Sequence, residues 1–499
     1  MNPNSPCSSA ALLPRGIVLL LGMATLLLVC SVAVPLFPSA DLWWHLRSGQ
    51  YIIETHGVPR TDPFSFSAAG TRWIAHEWLS EVVLYAFYRC GKFIGLGAAL
   101  AISVGAAFWL ATWRPKHGIL LRAGAAAIAA WSVRSVLSVR PGDFTLLLVA
   151  VYIWLLRRHQ ETGSTKPLAF LPLLMLLWVN LHGGYVLGLV VILLFTVGTV
   201  LNVFGGQREC HEGYRQARRF GLALLSCVLV VPLNPNGLRM YSYPLETLHS
   251  SLKASAILEW QPLDLGMPAF RLFEGIAVAT LLLLAVDRKR TRATELMLFI
   301  PFALLALRAM RNISPCALVC AGLLGNHLPI GSWSWLKRLQ LRGSLCAALA
   351  VAAVVGTLCI SVWQVKAAAW RLEWFERARY PKGAVEFLQK QGLRGPIFNS
   401  YQYGGYLIWR LYPASRVYVD GRADLYGYEF LAHYSYMYWG IEPLQPELDR
   451  LGVNILVLDR FSYLAMLSPQ IKTHWKKAYE DTITDVFVRS EGASSGSPQ

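Results

Sequence analysis

Asp41 and His45 stand four positions apart in PSADLWWHLRSGQYI, directly after the first long apolar run of the chain. An ionised carboxylate at a bilayer centre costs at least ~2.5 kcal/mol, so one held at a membrane boundary invites a chemical reading. On a helix that spacing puts both groups on one face, where the imidazole would orient the carboxylate as a general base or share a metal ion with it. His76 and Glu77 in HEWLSE supply a second imidazole–carboxylate pair, with Glu77 as a further base, helper or metal ligand. Arg134 and Arg140 frame VRSVLSVRPGDF, and Arg308 and Arg311 frame RAMRN. Arginine forks bind phosphate bidentately. Asn180 and His182 in WVNLHGG precede a Gly–Gly break at membrane depth, which is tolerated mainly beside a cavity. Acids and arginines around such a cavity suit displacement of a phosphate from a sugar. The carboxylate takes the proton of an acceptor hydroxyl, and the arginines stabilise the leaving phosphate in place of a proton donor.

Each residue also has a structural reading. Asp41 is well placed as a helix N-cap. His45 suits a packed interface, and His76 and Glu77 suit the charged face of an interfacial helix. Arg140 and Arg311 suit snorkelling anchors, whereas Arg134 lies deeper in its apolar run. Asp62, before Pro63, reads as a turn residue, and Asp420–Gly421–Arg422 as a turn salt bridge at a strand end.

The elements that must position these groups follow from the composition. The 499 residues are 55% hydrophobic and 15% charged, with mean hydropathy +0.41, which excludes an ordinary soluble protein. Apolar runs at 16–38, 93–113, 119–139, 143–156, 168–181, 184–204, 219–233, 271–286, 294–310, 312–328 and 344–363 predict about eleven membrane-spanning helices. The net charge of +17 does not call for nucleic acid, because every second loop between these runs is basic. Arg114, Arg122, Arg157, Arg158, Arg208, Arg215, Arg288, Arg292, Lys337 and Arg342 lie in such loops. This alternation places the N-terminus in the cytoplasm. It exports the 39–92 and 234–270 loops, the 134–143 and 181–184 turns and everything after 365. All the candidate chemistry then shares the exported side, and the cytoplasmic loops carry cations and little else.

Residues 1–15 and 490–499 read as disordered tails around a membrane domain at 16–365 and an exported domain at 366–489. In the first loop, 42–57 and 76–91 have apolar residues at helical spacing, predicting two amphipathic helices on the membrane surface. The later domain reads as a small α/β unit, with helices near 384–391 and 443–451. Its predicted β-rich runs are GPIFNS, YGGYLIWRL, RVYVDGR, VNILVLD and TDVFVR.

These residues resemble the GT-C superfamily of membrane glycosyltransferases, which use polyprenyl-phosphate-linked sugars. They are most similar to a bacterial multi-pass family marked by DLWWHLRSGQYI, TDPFSF, HEWLSE, VRPGDF, NLHGG, LNPNGLRMY, YQYGGYLIWRLYP and VYVDGRADLYG. The resemblance spans roughly residues 35–460. It implies a GT-C-like helical domain with an exported soluble domain, and an acid just after the first span, which is Asp41. The chain departs from members with a DxD or paired acids there, since Leu42 and Trp43 follow Asp41.

The resulting expectation is an inner-membrane glycosyltransferase that moves a sugar from a polyprenyl-phosphate donor to an exported glycan, lipid or protein acceptor by inverting displacement. Asp41 and Glu77 are the catalytic candidates. Arg134, Arg140, Asn180, His182, Arg308 and Arg311 are the phosphate-site candidates, with His45 and His76 in support. A divalent metal ion is the one cofactor suggested. The alternatives are a lipid-carrier transporter or flippase, a polymerase using a lipid-pyrophosphate donor, and a non-catalytic envelope assembly protein.

Overall fold

A computed structural model describes residues 15–34, 39–112, 119–207, 209–249, 258–288, 291–327, 343–466 and 469–490. The tails expected at 1–15 and 490–499 lie almost entirely outside that set, as do Arg114, Lys337 and Arg342.

Each of the eleven apolar runs contains a helix among its described residues. The chain folds as α1 (Arg15–Val32), α2 (Leu42–Thr55), α3 (Trp78–Ala111), α4 (Ile119–Ser132), α5 (Gly142–Thr162), α6 (Lys166–Leu181) and α7 (Tyr185–Phe204). It continues with α8 (Cys210–Val230), α9 (Arg239–His249), α10 (Arg271–Val286), α11 (Ala293–Arg308), α12 (Ile313–His327) and α13 (Gly343–Arg379). Among the described residues five segments are by themselves long and apolar enough to cross a membrane: Trp78–Ala111, Tyr185–Phe204, Cys210–Leu233, Pro268–Val286 and Ala347–Arg379. The other runs form shorter helices, or in α5 a helix whose last turns carry Arg157, Arg158 and His159. Short or charged-ended spans rely on tilted neighbours and snorkelling ends.

The first loop corrects one expectation. Leu42, Trp43, Trp44, His45, Leu46, Arg47, Ser48, Gly49 and Ile52 of α2 are all buried, so this helix does not lie along a membrane surface. It is packed between α3 and the C-terminal part of the chain. Trp43, 1% exposed, meets Phe93, Tyr380 and Tyr406 edge-on with ring centroids 6.0, 5.3 and 4.9 Å away. Such contacts stabilise by ~0.5–1.5 kcal/mol each beyond burial of area. Gly49 is where α2 approaches α3. A Cβ there would lie 2.1 Å from the Glu81 carbonyl oxygen, so only glycine permits the contact. The predicted helix at 76–91 is the start of α3, which bends at Lys92 (φ 48°, ψ −135°) before its apolar stretch.

The C-terminal part contains α14 (Lys382–Lys390), β1 (Gly395–Asn399), α15 (Gly404–Leu411), β2 (Ser415–Val417), α16 (Ala423–Tyr438), α17 (Gln445–Arg450), β3 (Ile455–Asp459), β4 (Trp475–Glu480) and β5 (Thr484–Arg489). The sheet order is β2-β1-β3-β5-β4, with β1 parallel to β2 and β3, and β5 antiparallel to β3 and β4. VNILVLD becomes the central strand because its continuous apolar run suits burial on both faces. YGGYLIWRL, read as β-rich, is instead the helix α15. Tyr403, Leu407 and Leu411 recur every four residues and are buried together, a period that the dense apolar run conceals.

A buried ionic clasp ties this sheet to the first loop. Arg422 donates from Nε and Nη2 to the two oxygens of Asp420 (2.8 and 2.7 Å), and from Nη1 to Asp62 (2.7 Å). Its guanidinium lies 4.7 Å from the Trp73 ring centre and 5.2 Å from that of Phe64. The Tyr426 hydroxyl completes Asp420 at 2.6 Å. Phe66 N donates to Val417 O (3.0 Å), so TDPFSF covers the β2 edge that would otherwise stand open.

Candidate functional site

Glu77 is the centre of a carboxylate–imidazole cluster assembled from three loops. Its Oε1 is 3.3 Å from Nε2 of both His76 and His182, and its Oε2 is 3.8 Å from His45 Nε2. His45 reaches it because α2 and α3 cross at Gly49, and its Nδ1 lies 3.3 Å from Glu81 Oε1. His182 follows the last turn of α6 in an extended conformation (φ −164°, ψ 145°), which turns its ring back toward α3.

The hydrogen-bond partners settle two protonation states. His182 Nδ1 accepts from the Gly184 amide at 3.0 Å and is 2.8 Å from the Thr145 hydroxyl, itself an acceptor for Trp178 Nε1 at 2.9 Å. An amide N–H can only donate, so His182 is neutral and donates from Nε2 to Glu77. Burial and the charges of Arg311, His76 and Arg140, against the pull of Glu77, lower its pKa to about 3. His76 differs: its Nδ1 faces the Ile74 carbonyl at 3.1 Å, which can only accept. With Nδ1 protonated and Nε2 against a carboxylate, His76 is an imidazolium. Burial works against that charge, and Glu77, with a further pull from Asp424, more than restores it, so its pKa is raised. Burial likewise pushes the Glu77 carboxyl up, but His76, His182 and His45 outweigh it and hold Glu77 well below the usual carboxylate range.

Asp41 occupies the N-cap position of α2 without capping it. Its side chain makes no bond to the first-turn amides and instead accepts from Trp44 Nε1 at 3.1 Å. Gly421 backs it directly, since a Cβ there would lie 2.3 Å from Asp41 Oδ1. Burial raises the Asp41 pKa against the opposing influence of His45, the Trp44 bond and Arg140, while Glu77 adds to the rise. A half-buried carboxylate with few donors is a competent proton acceptor.

The arginines divide. Arg140 and Arg311 converge on Glu259: Arg140 Nη1 bonds Oε2, and Arg311 Nη1 lies 3.9 Å from Oε1 while its guanidinium sits 4.4 Å from the Trp260 ring centre. Both cations also bear on His182, which places them beside the Glu77 cluster. Arg308 is exposed and makes no ion pair among the described residues. Arg134 stacks on Trp131 at 4.8 Å and feels Arg371, not the Glu77 cluster. Asn180 is a positioning residue. It accepts from Trp78 Nε1 (2.8 Å) and Asn234 Nδ2 (3.3 Å) and donates to Leu176 O (2.8 Å), pinning the Glu77 end of α3 to α6 and to LNPNG.

Sequence reasoning passed over Tyr243 and Asp424 and read Gly421 only as part of a turn. The Tyr243 ring packs on His76 at 4.5 Å, and its hydroxyl donates to Asp424 at 2.9 Å. The concentration of charge in DGRAD was the available signal. Nor is the expected cytoplasmic end merely cationic. His327 joins Asp287 and Glu295, each at 3.0 Å, between α10, α11 and α12, because the basic turn before α11 needs an acidic capping residue at Glu295. Among the described residues no three His, Cys, Asp or Glu side chains converge so as to hold a metal ion. The imidazoles around Glu77 are arranged as its hydrogen-bond and charge partners.

No family model matches the chain, and no curated protein matches it in sequence. Solved structures do. The oligosaccharyltransferase AglB of Archaeoglobus fulgidus, in complex with an inhibitory peptide and a dolichol-phosphate, superposes with a TM-score of 0.55 at 12% identity, covering 89% of this chain and 69% of AglB. ArnT of Cupriavidus metallidurans bound to undecaprenyl phosphate superposes with a TM-score of 0.53 at 13% identity, covering 97% of this chain and 99% of ArnT. Its apo form gives 0.51 at 14% identity. The chain shares the fold of these proteins.

Proposed function

We propose that this chain is an integral membrane glycosyltransferase that transfers a sugar from a polyprenyl-phosphate-linked donor to an acceptor on the outer side of the membrane. The observation that carries the reading is Asp41. It is a half-buried carboxylate just after the first span of a GT-C fold, released from capping and within the influence of Arg140. AglB and ArnT, with the same fold, were captured with dolichol-phosphate and undecaprenyl phosphate. The basic-loop alternation supports a cytoplasmic N-terminus, with the Asp41 end of the bundle facing outward.

In this mechanism the acceptor hydroxyl attacks the anomeric carbon as its proton passes to Asp41. The bond from that carbon to the phosphate oxygen breaks on the opposite face, and polyprenyl phosphate leaves with inversion. Arg140 and Arg311 turn from Glu259 to the phosphate and stabilise its growing charge. Glu77, held ionised by its three imidazoles, is a positioning residue that keeps this end of α2, α3 and α6 in register. Asp41→Asn should lower transfer by roughly 10²–10⁴-fold, the usual range for a general base. Mass spectrometry of lipid-linked sugars and surface glycans checks this, and undiminished transfer at equal protein level sinks the assignment.

A further inference from the structure

Two guanidinium groups outside the Glu77 cluster carry buried nitrogens that no acceptor among the described residues satisfies. Arg134 follows α4, and Arg371 lies on α13 one turn beyond Ala368, which packs with Val34 and Ala101. Arg371 is the one charge acting on Arg134, and no carboxylate among the described residues acts on either group. The Nε of Arg134 and the Nε and Nη2 of Arg371 are buried with no hydrogen-bond partner. Buried donors left without acceptors cost free energy, and a bound anion supplies the acceptors that these nitrogens lack.

The surroundings identify the kind of anion. Trp131, on whose face Arg134 lies, is 51% exposed, and Trp363 and Trp370 on α13 are 66% and 67% exposed. Large exposed indoles beside an apolar helix face are the pattern of a membrane interface, where lipid headgroups lie at that depth. Phosphate oxygens accept from arginine forks, and acyl chains suit the exposed apolar side of α13.

We propose that Arg134 and Arg371 form a binding site for the phosphate of an anionic phospholipid headgroup. This site is independent of the glycosyl-transfer reading.

The test uses the full-length protein, delipidated in neutral detergent. Thermal unfolding followed by its tryptophan fluorescence, with native mass spectrometry, reports binding of phosphatidylglycerol, undecaprenyl phosphate and inorganic phosphate. Phosphatidylglycerol should raise the unfolding temperature and leave one retained lipid. Arg134→Gln with Arg371→Gln should weaken that binding by about tenfold or more, as loss of charge-assisted forked bonds implies. Arg371→Lys keeps the charge and loses the fork, so it should bind with intermediate affinity, and it decides the matter if the double variant does not fold. Unchanged phosphatidylglycerol affinity in either variant overturns the proposal. So does equal stabilisation by inorganic phosphate, or displacement of the phospholipid by equimolar undecaprenyl phosphate.

Discussion

At the scale of single residues, the site depends on which carboxylates are free. Glu77 is engaged by three imidazoles, whereas Asp41 accepts from the Trp44 indole at 3.1 Å and the Ser39 hydroxyl at 3.5 Å and is backed by Gly421. The pH dependence follows. Activity should rise as Asp41 loses its proton, at a pH above the ordinary carboxylate value of 3.8, because its pKa is raised. It should fall again as His76 loses its proton above 6.5, because that pKa is raised too. A group whose folded pKa is raised contributes stability that is complete below its unfolded value and is lost as pH climbs through the folded one. Unfolding temperature should therefore drop above pH 6.5 in the wild type, and His76→Gln should flatten that drop. Glu259 yields another expectation. It holds the Arg140 and Arg311 pair in the absence of donor, so Glu259→Gln should tighten undecaprenyl phosphate binding by roughly threefold, the scale of a partly exposed ion pair. Weaker binding in a titration would show that Glu259 organises the arginines instead of competing for them.

At the scale of elements, the decisive contacts join segments far apart in sequence. Arg422 and Asp62 are 360 positions apart and form one buried clasp with Asp420. Breaking a buried pair by removing one partner costs ~3–5 kcal/mol, because the remaining charge loses its compensation. Asp62→Asn should therefore loosen the 56–77 loop from the sheet. Limited proteolysis should cut that loop faster, and transfer should fall with Asp41 itself intact, since Gly421 and α2 are positioned through the same clasp. Equal proteolysis rates in the variant would count against the clasp. The burial of α2 has the same origin. Its amphipathic pattern was legible, but a half-apolar helix suits a membrane surface and a domain junction equally well. Trp43 against Phe93, Tyr380 and Tyr406 decides for the junction.

At the scale of the whole molecule, five segments that the charge pattern sends to one side do meet. Segments 39–77, 140–143 and 182–184, the turn at Glu259 and the turn at Arg311 contact one another around Glu77 and Glu259. The orientation in the membrane has its own check. Cys90 and Cys210 are both exposed and belong to opposite ends under the proposed topology. In single-cysteine variants, a membrane-impermeant maleimide should label Cys90 in intact cells and Cys210 only after permeabilisation; the reverse pattern inverts the topology.

By itself the sequence determined the eleven apolar helices, the alternation of basic loops, four strands of the small sheet and the residue types that crowd one end. These are local properties, readable from period, length and charge. Only the tertiary structure decided that three histidines close on Glu77, that Asp41 does not cap its helix and that YGGYLIWRL is helical. Protonation, pairing and burial depend on which side chains approach from distant segments, and that approach is set by packing at places such as Gly49 and Gly421 that carry no periodic signal. Asp41 was conspicuous from the start for being where a charge is costly. What makes it available is Gly421, 380 positions later in the chain, where no side chain stands in the way.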